Sequence, residues 1–302
     1  MAASISVVIP VFNRKEELIR ALDSVKKQTL QPSEVIVVDD CSSFLIEDFL
    51  RESNYLDQDW VRVVRNEINQ GPSGTRNTGV MHAKEEFIAF LDSDDYWDPH
   101  KLEKQMALFT KKPELDLVYN GTWVVYENKT VPSHTKLFKD NIWYQLVDNC
   151  WTPPNPSTML MRNASIRKLN AFDLTLKHAE DIDLWMRMTL HDMKIDYCDE
   201  RLTYFMYNST GRLSKQYRAK FKKVEPFFAK WEPYFRQQGK ESSFHRFKQR
   251  SFTKFALETF VDSLRDRSVS IPAQMYFKYL WNRKEFYDLI LNKFRRVQPQ
   301  PS

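Results

Sequence analysis

The first hundred residues alternate short apolar runs with stretches of helical periodicity. A strand buried on both faces reads as a continuous apolar run, often rich in β-branched residues. Leu18, Leu22 and Val25 recur at helical spacing and predict a helix over residues 14–28, with Asn13 placed to cap it. The other helices are expected at 43–53 and 76–84, and the strands at 5–10, 34–38, 61–64 and 87–91. Strand–helix alternation with short links predicts an α/β fold with parallel strands and right-handed crossovers.

The pattern after residue 98 is more mixed, and it ends in helices. Apolar segments at 115–119, 122–126, 157–161 and 202–207 predict further strands, and residues 101–109 and part of 172–190 read as helices. From residue 215 to the end the periodicity predicts two or three helices that are rich in basic residues.

Carboxylates follow two of the predicted strands directly. Asp40 closes the second strand, and the fourth strand leads into Asp92, Asp94 and Asp95. An unpaired carboxylate inside an apolar core loses its hydration, so these strands end where the acids begin. Ligands of parallel sheets bind beyond the carboxyl ends of the strands. A divalent cation that also holds a diphosphate fits such a cluster, although a solvated acidic turn has the same short pattern.

Composition narrows the class of protein. Hydrophobic residues make up 42% of the chain and aromatic residues 14%, enough for a substantial core. Three cysteines, odd in number and far apart, match neither a zinc site nor a disulfide framework, which suits a reducing compartment. The N-terminus lacks the pattern of a signal peptide, and no apolar run is long enough to cross a bilayer. We therefore expect a cytoplasmic protein.

Charge is distributed unevenly along the chain. Residues 1–214 hold 25 basic and 32 acidic residues, whereas residues 215–302 hold 20 basic and 8 acidic ones. Basic helices with exposed aromatics are typical of proteins that lie on an anionic membrane, here the inner face of the plasma membrane. The aromatics of this region could equally pack on the rest of the protein. The charge is scattered and no recognition motif occurs, so we expect no nucleic-acid partner. The aromatic residues are Phe227, Phe228, Trp231, Tyr234, Phe235, Tyr276, Phe277, Tyr279, Trp281, Phe286, Tyr287 and Phe294.

Five motifs occur in a specific order. They read P-V-F-N-R after the first strand, V-V-D-D-C-S-S after the second, N-Q-G-P-S-G-T-R-N-T-G, F-L-D-S-D-D, and much later E-D-I-D-L-W-M-R. Together they resemble glycosyltransferase family 2, the inverting nucleotide-sugar transferases. The resemblance covers about the first 215 residues. It implies the GT-A fold, a Rossmann-like and mostly parallel central sheet flanked by helices.

The resemblance also implies domain boundaries and a function. Residues 1–214 would form the catalytic domain, with a nucleotide-sugar half over 1–100 and an acceptor half over 101–214, and residues 215–302 would form a helical extension. A metal-dependent enzyme would move a sugar from a nucleotide donor, UDP above all, to a hydroxyl of a glycan or lipid-linked glycan in surface polysaccharide synthesis. The alternative is a non-catalytic glycan- or membrane-binding protein with the same fold. No oligomeric state is predicted.

Donor-binding roles follow residue by residue from the resemblance. Asp40 corresponds to the carboxylate that accepts from the uracil N–H, although it could simply cap a strand end. Arg76 would hold Asp92 or a phosphate, or be only a first-turn helix residue. Asp95 is left as a turn cap or an acceptor contact. The nucleotide pocket would be lined by Pro10, Val11 and Asn13; in the D-x-D motif, Asp92 and Ser93 would contact the donor, with Asp92 on the ribose, and Asp94 would bind Mn²⁺ or Mg²⁺.

Catalytic roles fall on the second acidic motif. Asp181 matches the family's base, which takes the proton of the acceptor hydroxyl. Glu180 points about 100° away on a helix and would orient the acceptor or a loop, and Trp185 reads as core rather than as a sugar platform. Relatives place a His or basic residue in a loop after the last strand. Here that loop offers Arg212 but no His, and Trp143 and Trp151 could shape the acceptor site or belong to the core.

Overall fold

The computed structural model describes residues 3–56, 60–133, 147, 154–207 and 217–265. In the last of these ranges the side chains are described for residues 222–253. Within these ranges, no helix combines the length and the apolar character that crossing a membrane requires. The contacts divide the chain into two compact units, and helices α7 and α8, defined below, belong to the second.

The first half forms the predicted parallel sheet. Four strands lie in the order β3-β2-β1-β4, and every neighbouring pair is parallel. Strand β1 is central and buried on both faces, which explains its unbroken apolar run. The elements are β1 (Ala3–Val11), α1 (Glu16–Lys26), β2 (Pro32–Asp39), α2 (Ile46–Glu52), β3 (Val61–Arg65), α3 (Gly71–His82) and β4 (Phe87–Phe90).

The second half extends the same sheet with mixed pairing. Strand β4 continues into β8-β6-β9-β5, in which only the β6–β9 pair is parallel, and β7 pairs with β6 at the side. The central sheet is thus parallel in its first half and mixed in its second, and helices flank it, which confirms the predicted fold class. The elements are β5 (Tyr96–Trp97), α4 (Lys101–Lys111), β6 (Leu117–Tyr126), β7 (Lys129–Pro132), β8 (Leu160–Arg162), α5 (Asn163–Lys168), α6 (Glu180–Leu190) and β9 (Ile195–Met206).

Several predicted boundaries differ from the observed ones. The segments 115–119 and 122–126 are one strand, β6, whose register against β9 shifts at Gly121. Helix α1 begins at Glu16, and Asn13 does not cap it. Asn13 instead has a left-handed backbone (φ 54°), and its side-chain oxygen accepts from the Ser43 amide at 2.8 Å. The prediction of a cap was therefore wrong because a partner thirty residues away binds this side chain.

Helix α3 packs unusually close to the central strand. The side chains of Ile5, Val7 and Ile9 lie in the main core with Leu18 of α1. Val8 points to the other face of the sheet, towards Gly79 of α3. A Cβ atom placed on Gly79 would lie 2.2 Å from Cγ1 of Val8, far inside van der Waals contact. A glycine at this position therefore lets the helix backbone approach β1 directly.

The second unit contains two long helices, α7 (Tyr217–Gln237) and α8 (Glu241–Arg265). Their aromatic side chains pack against one another; the rings of Phe235 and Phe244, for example, stack with centroids 4.4 Å apart. Four aromatics of α7 that the sequence offered as possible membrane contacts are buried: Phe227, Phe228, Trp231 and Phe235. The rings of Phe227, Phe228 and Phe235 contact aromatic rings of α8. The aromatics from Tyr276 to Phe294 lie outside the described residues.

Candidate active site

The carboxyl ends of β1, β2 and β4 open into one pocket of about 410 Å³. This is the edge of a parallel sheet at which ligands bind. Seven of the predicted site residues line the pocket, and six further residues complete the lining that the structure describes. The predicted ones are Pro10, Val11, Asp40, Arg76, Asp92, Ser93 and Asp94; the additional ones are Phe12, Arg14, Asn69, Gly71, Pro72 and Thr75.

Asp40 lines this pocket and also anchors the loop that precedes α3. One carboxylate oxygen accepts from Asn66 Nδ2 and from the Gln70 amide, both at 2.8 Å. The other accepts from the Gly71 amide at 2.9 Å. A carboxylate offers about four acceptor positions, so one remains for a donor from a ligand. The side chain thus has a structural role beside the binding role that the sequence predicts.

Arg76 is the central cation of the site. Its Nη2 donates to Asp92 Oδ1 at 2.6 Å, and its Nη1 lies 3.6 Å from Glu180 Oε1. The guanidinium also lies over the ring of Phe172, 5.3 Å from the centroid. Burial alone would lower the pKa of Arg76, but the charges of Asp92, Glu180 and Asp181 outweigh it and raise that pKa. Arg76 therefore joins the D-x-D loop to the second acidic motif.

Asp94 stands on the accessible side of the D-x-D loop. Its carboxylate is paired with Arg14, Nη1 to Oδ2 at 2.7 Å. Burial and the negative charge of Asp92 raise the pKa of Asp94, and Arg14 offsets this only in part. Arg20 of α1 fixes the backbone here, because its Nη2 donates to the Asp94 carbonyl at 2.9 Å.

Asp94 fits a divalent cation as one of its ligands. Its carboxylate is the hard oxygen donor that Mg²⁺ and Mn²⁺ prefer, and a cation would offset the burial and the charge of Asp92 that raise the pKa of Asp94. Among the described residues no group of three or more His, Cys, Asp or Glu side chains could hold a metal. Diphosphate oxygens or water would therefore have to supply the other ligands.

Asp95 belongs to the framework rather than to the pocket. It is fully buried, and its carboxylate accepts from Ser157 Oγ at 2.7 Å, Asn155 Nδ2 at 3.1 Å and the Met206 amide at 3.2 Å. Burial and the charges of Asp92 and Asp94 raise its pKa well above the usual range. These three bonds fasten the D-x-D loop to the segment before β8 and to the end of β9.

The second acidic motif opens helix α6. Ala179 has a left-handed backbone (φ 64°), after which Glu180 and Asp181 form the first turn. Burial and the charge of Glu180 raise the pKa of Asp181 to about 7, although the Ile182 amide donates to its carboxylate at 2.8 Å. Asp181 is not among the pocket-lining residues, but its charge acts on Arg76. Carboxylates with such perturbed pKa values are typical of functional sites.

Asp183 and Trp185, in the same motif, face the interior. Asp183 is fully buried and accepts from Arg187 Nε at 2.7 Å. Arg187 in turn donates to the carbonyl oxygens of Leu169 and Ala171, which ties α6 to the loop after α5. Trp185 is fully buried, and its ring packs edge-on against Tyr119 at 5.1 Å.

A family model decides where this arrangement belongs. The model described as glycosyl transferase family 2 matches residues 6–169, which is more than half of the chain. The chain belongs to glycosyl transferase family 2. The matched region includes the whole pocket, from the loop after β1 to the D-x-D motif.

Relatives of this family 2 glycosyltransferase match parts of the chain at moderate identity. An uncharacterized glycosyltransferase of Haemophilus influenzae is 38% identical over 116 residues, 38% of this chain and 38% of its own length. A second relative, from Escherichia coli, is WfgD, named UDP-Glc:alpha-D-GlcNAc-diphosphoundecaprenol beta-1,3-glucosyltransferase. It is 29% identical over 186 residues, 60% of this chain and 68% of its own length.

Solved structures share the fold of this glycosyltransferase. The crystal structure of S. aureus TarS 1-349 in complex with UDP-GlcNAc has a TM-score of 0.64 at 20% identity, covering 100% of this chain and 93% of that one. Mannosyltransferase PcManGT from Pyrobaculum calidifontis, in complex with GDP-Man and Mn²⁺, has a TM-score of 0.60 at 15% identity, covering 96% and 84%. These similarities agree with the GT-A fold that the sequence predicts.

One predicted site residue of this family 2 enzyme, Asn13, does not lie where the sequence predicts. Asn13 is exposed and is not part of the pocket lining; its amide donates to Ser42 Oγ at 2.9 Å, so it joins the loops after β1 and β2. Arg212 lies outside the described residues, as do Trp143 and Trp151.

Several pocket residues were not predicted from the sequence, although they lie within the motifs that the sequence analysis identified. Phe12 and Arg14 stand inside P-V-F-N-R, and the remaining ones stand inside N-Q-G-P-S-G-T. The signal was therefore present as a motif, but nothing in it showed which side chains turn towards the ligand.

Proposed function

We propose that this family 2 enzyme transfers a sugar, with inversion and with a divalent cation, from a UDP-sugar to a hydroxyl of a glycan or lipid-linked glycan during surface polysaccharide synthesis. The observation that carries the proposal is the convergence of Asp92 and Glu180 on Arg76. It brings the donor-binding motif and the motif of the expected base to one guanidinium, as a displacement at a single carbon requires.

The donor assignment rests on the pocket and on the relatives. Phe12 is 46% exposed and lines the pocket, so its ring offers a face on which a base can stack. The remaining acceptor position of Asp40 suits a base N–H. By its name WfgD uses UDP-Glc, and the TarS structure contains UDP-GlcNAc, whereas the PcManGT structure contains GDP-Man. WfgD has the highest identity of the three, which supports UDP here.

The residues of the D-x-D loop would contact different parts of the donor. Asp92, oriented by Arg76, accepts from ribose hydroxyls, and Ser93 lines the same pocket. Asp94 would hold Mn²⁺ or Mg²⁺. Such a cation would stabilise the negative charge that develops on the leaving nucleoside diphosphate.

Asp181 would act as the general base. With a pKa of about 7, its carboxylate can take a proton near neutral pH. It removes the proton of the acceptor hydroxyl while that oxygen bonds to the anomeric carbon, and the bond to the diphosphate oxygen breaks on the opposite face. The bonding pair leaves with the nucleoside diphosphate, and the configuration at the carbon inverts.

The acceptor and location remain part of the proposal. The name of WfgD includes a diphosphoundecaprenol acceptor, which supports a lipid-linked glycan for this chain. An enzyme acting on such a substrate from the cytoplasm would meet the inner face of the plasma membrane. The described part of residues 215–302 offers exposed basic side chains for this contact, including Lys222, Lys223 and Lys230.

A panel of UDP-sugars and GDP-sugars, assayed for nucleotide release with MnCl₂ and with EDTA, tests the proposal. We expect release from at least one UDP-sugar only with the metal, and we expect Asp94→Asn to lose this metal-dependent turnover. Glu47→Gln, which removes an exposed acid that does not line the pocket, is the matched control. Binding without any turnover would favour the non-catalytic alternative, and turnover undiminished by EDTA would contradict the metal role.

A further inference from the structure

Two arginines face the D-x-D motif, and they are held very differently. The guanidinium of Arg76 is only 6% exposed and contacts Asp92, Glu180 and the ring of Phe172. The side chain of Arg14 is 38% exposed and is paired with Asp94, itself 25% exposed. Half-exposed ion pairs of this kind are weak and exchange partners readily, whereas a buried pair cannot lose one partner without stranding the other. Arg14 is therefore the cation that can move.

Charges in the pocket make such a movement useful. The described lining carries three carboxylates, those of Asp40, Asp92 and Asp94, against the two guanidiniums. A nucleoside diphosphate adds at least two further negative charges, so its binding requires additional positive charge at the same place. Arg14 can supply that charge only after another cation has taken over Asp94.

We propose that Arg14 is an exchangeable counter-ion of Asp94: it neutralises this carboxylate before the donor binds and donates to the diphosphate once a divalent cation occupies Asp94. The inference rests on the proposed function, because it takes the donor to be a nucleoside diphosphate sugar bound with a metal. Its consequence is that metal and nucleotide bind cooperatively. The metal displaces Arg14 from Asp94, and the displaced guanidinium then becomes available to the diphosphate.

The surrounding backbone permits this exchange without a loop movement. Asn13, next to Arg14, is bonded to Ser42 and Ser43 through both its amide and its side chain. On the other side of the contact, Arg20 holds the carbonyl of Asp94. Both backbones are thus fixed, and a change of rotamer in the flexible Arg14 side chain is sufficient. Its guanidinium has five N–H donors arranged for bidentate contact with phosphate oxygens.

Calorimetric titration of the full chain with MnCl₂ alone, and with UDP in saturating MnCl₂, tests the exchange. We expect Arg14→Gln to bind Mn²⁺ about fivefold more tightly than wild type, because Asp94 loses its competing partner. The same variant should bind UDP about tenfold more weakly, because a charged hydrogen bond to the diphosphate is lost. Arg14→Lys keeps the positive charge but loses the bidentate guanidinium. Its affinities for Mn²⁺ and for UDP should therefore lie between those of wild type and those of Arg14→Gln.

Arg51→Gln is the matched control, since Arg51 forms an exposed ion pair with Glu47 on α2; both affinities should equal those of wild type. Thermal unfolding of each variant identifies any loss of folding. Unchanged or weaker Mn²⁺ binding by Arg14→Gln would overturn the exchange, because a purely structural Arg14 predicts that result. If wild type fails to bind UDP with MnCl₂, the proposed donor is wrong, whereas the titration with Mn²⁺ alone still decides the role of Arg14.

Discussion

The two acidic motifs of this glycosyltransferase, D-S-D-D and E-D-I-D, divide their work in the same way. In each motif one carboxylate is fully buried and holds the framework, one contacts Arg76, and one has a raised pKa and a proposed chemical role. In this order the three are Asp95, Asp92 and Asp94 in the first motif, and Asp183, Glu180 and Asp181 in the second.

The three acids of each motif are therefore neighbours in sequence but lie in three different environments. The buried members accept several hydrogen bonds or a full ion pair from the surrounding framework. The members at Arg76 share one guanidinium, although they lie almost ninety residues apart in the chain. The third member of each motif, Asp94 or Asp181, has a raised pKa like the buried Asp95, but unlike Asp95 it has a proposed chemical role.

Asp181→Asn should have the largest effect, and it tests whether the third acid of the second motif has a chemical role. If Asp181 is the base, transfer to the acceptor should slow by about two to four orders of magnitude, while donor affinity changes little because Asp181 does not line the pocket. Steady-state kinetics with calorimetry of UDP binding measure both quantities. Wild-type turnover in this variant would remove Asp181 from the mechanism.

Replacing the corresponding framework acid should change stability instead of chemistry. Asp183→Asn leaves the guanidinium of Arg187, 16% exposed, without its counter-ion. We expect the free energy of unfolding to fall by about 3 kcal/mol, measured by chemical denaturation. Glu47→Gln breaks an ion pair of the same helical spacing on the surface and should cost less than about 0.5 kcal/mol. Equal losses in the two variants would contradict the division into framework and reactive acids.

The smallest expected effect is a pH dependence set by Asp181. A base must be deprotonated to act, so kcat/KM should fall about tenfold per pH unit below a midpoint near 7 and level off above it. Because the charge of Glu180 helps to raise this pKa, Glu180→Gln should shift the midpoint to lower pH. A profile that is flat from pH 5 to 8 would mean that another group accepts the proton.

The fold was largely predictable because its signals are local. Apolar runs identified β1, β2, β3 and β4, and the change to acids marked where β2 and β4 end. Strand β6 was divided wrongly into two segments because Gly121 interrupts the run, whereas in three dimensions it only shifts the register against β9. A local pattern cannot distinguish a break from a bulge.

The role of a side chain was predictable only where it follows from the residue's own motif and not from partners elsewhere in the chain. Asp92, Asp94 and Asp40 line the pocket as expected. Asn13 was wrongly predicted as a helix cap because its partner, Ser43, comes from another loop. The role of Asp95 depends on Ser157 and Met206, more than sixty residues away, and the pairing of Arg14 with Asp94 forms only when β1 and β4 lie side by side.

The approach of α3 to β1 has a consequence for how this site could change during evolution. Gly79 lies one helical turn after Arg76, and a single methyl group at that position would collide with Val8. Helix α3 would have to shift away from the sheet. The guanidinium of Arg76 would then move away from the carboxylates of Asp92 and Glu180. The charge arrangement of the active site thus depends on a missing methyl group in the hydrophobic layer beneath it. Substitutions there can impair glycosyl transfer without touching a polar atom.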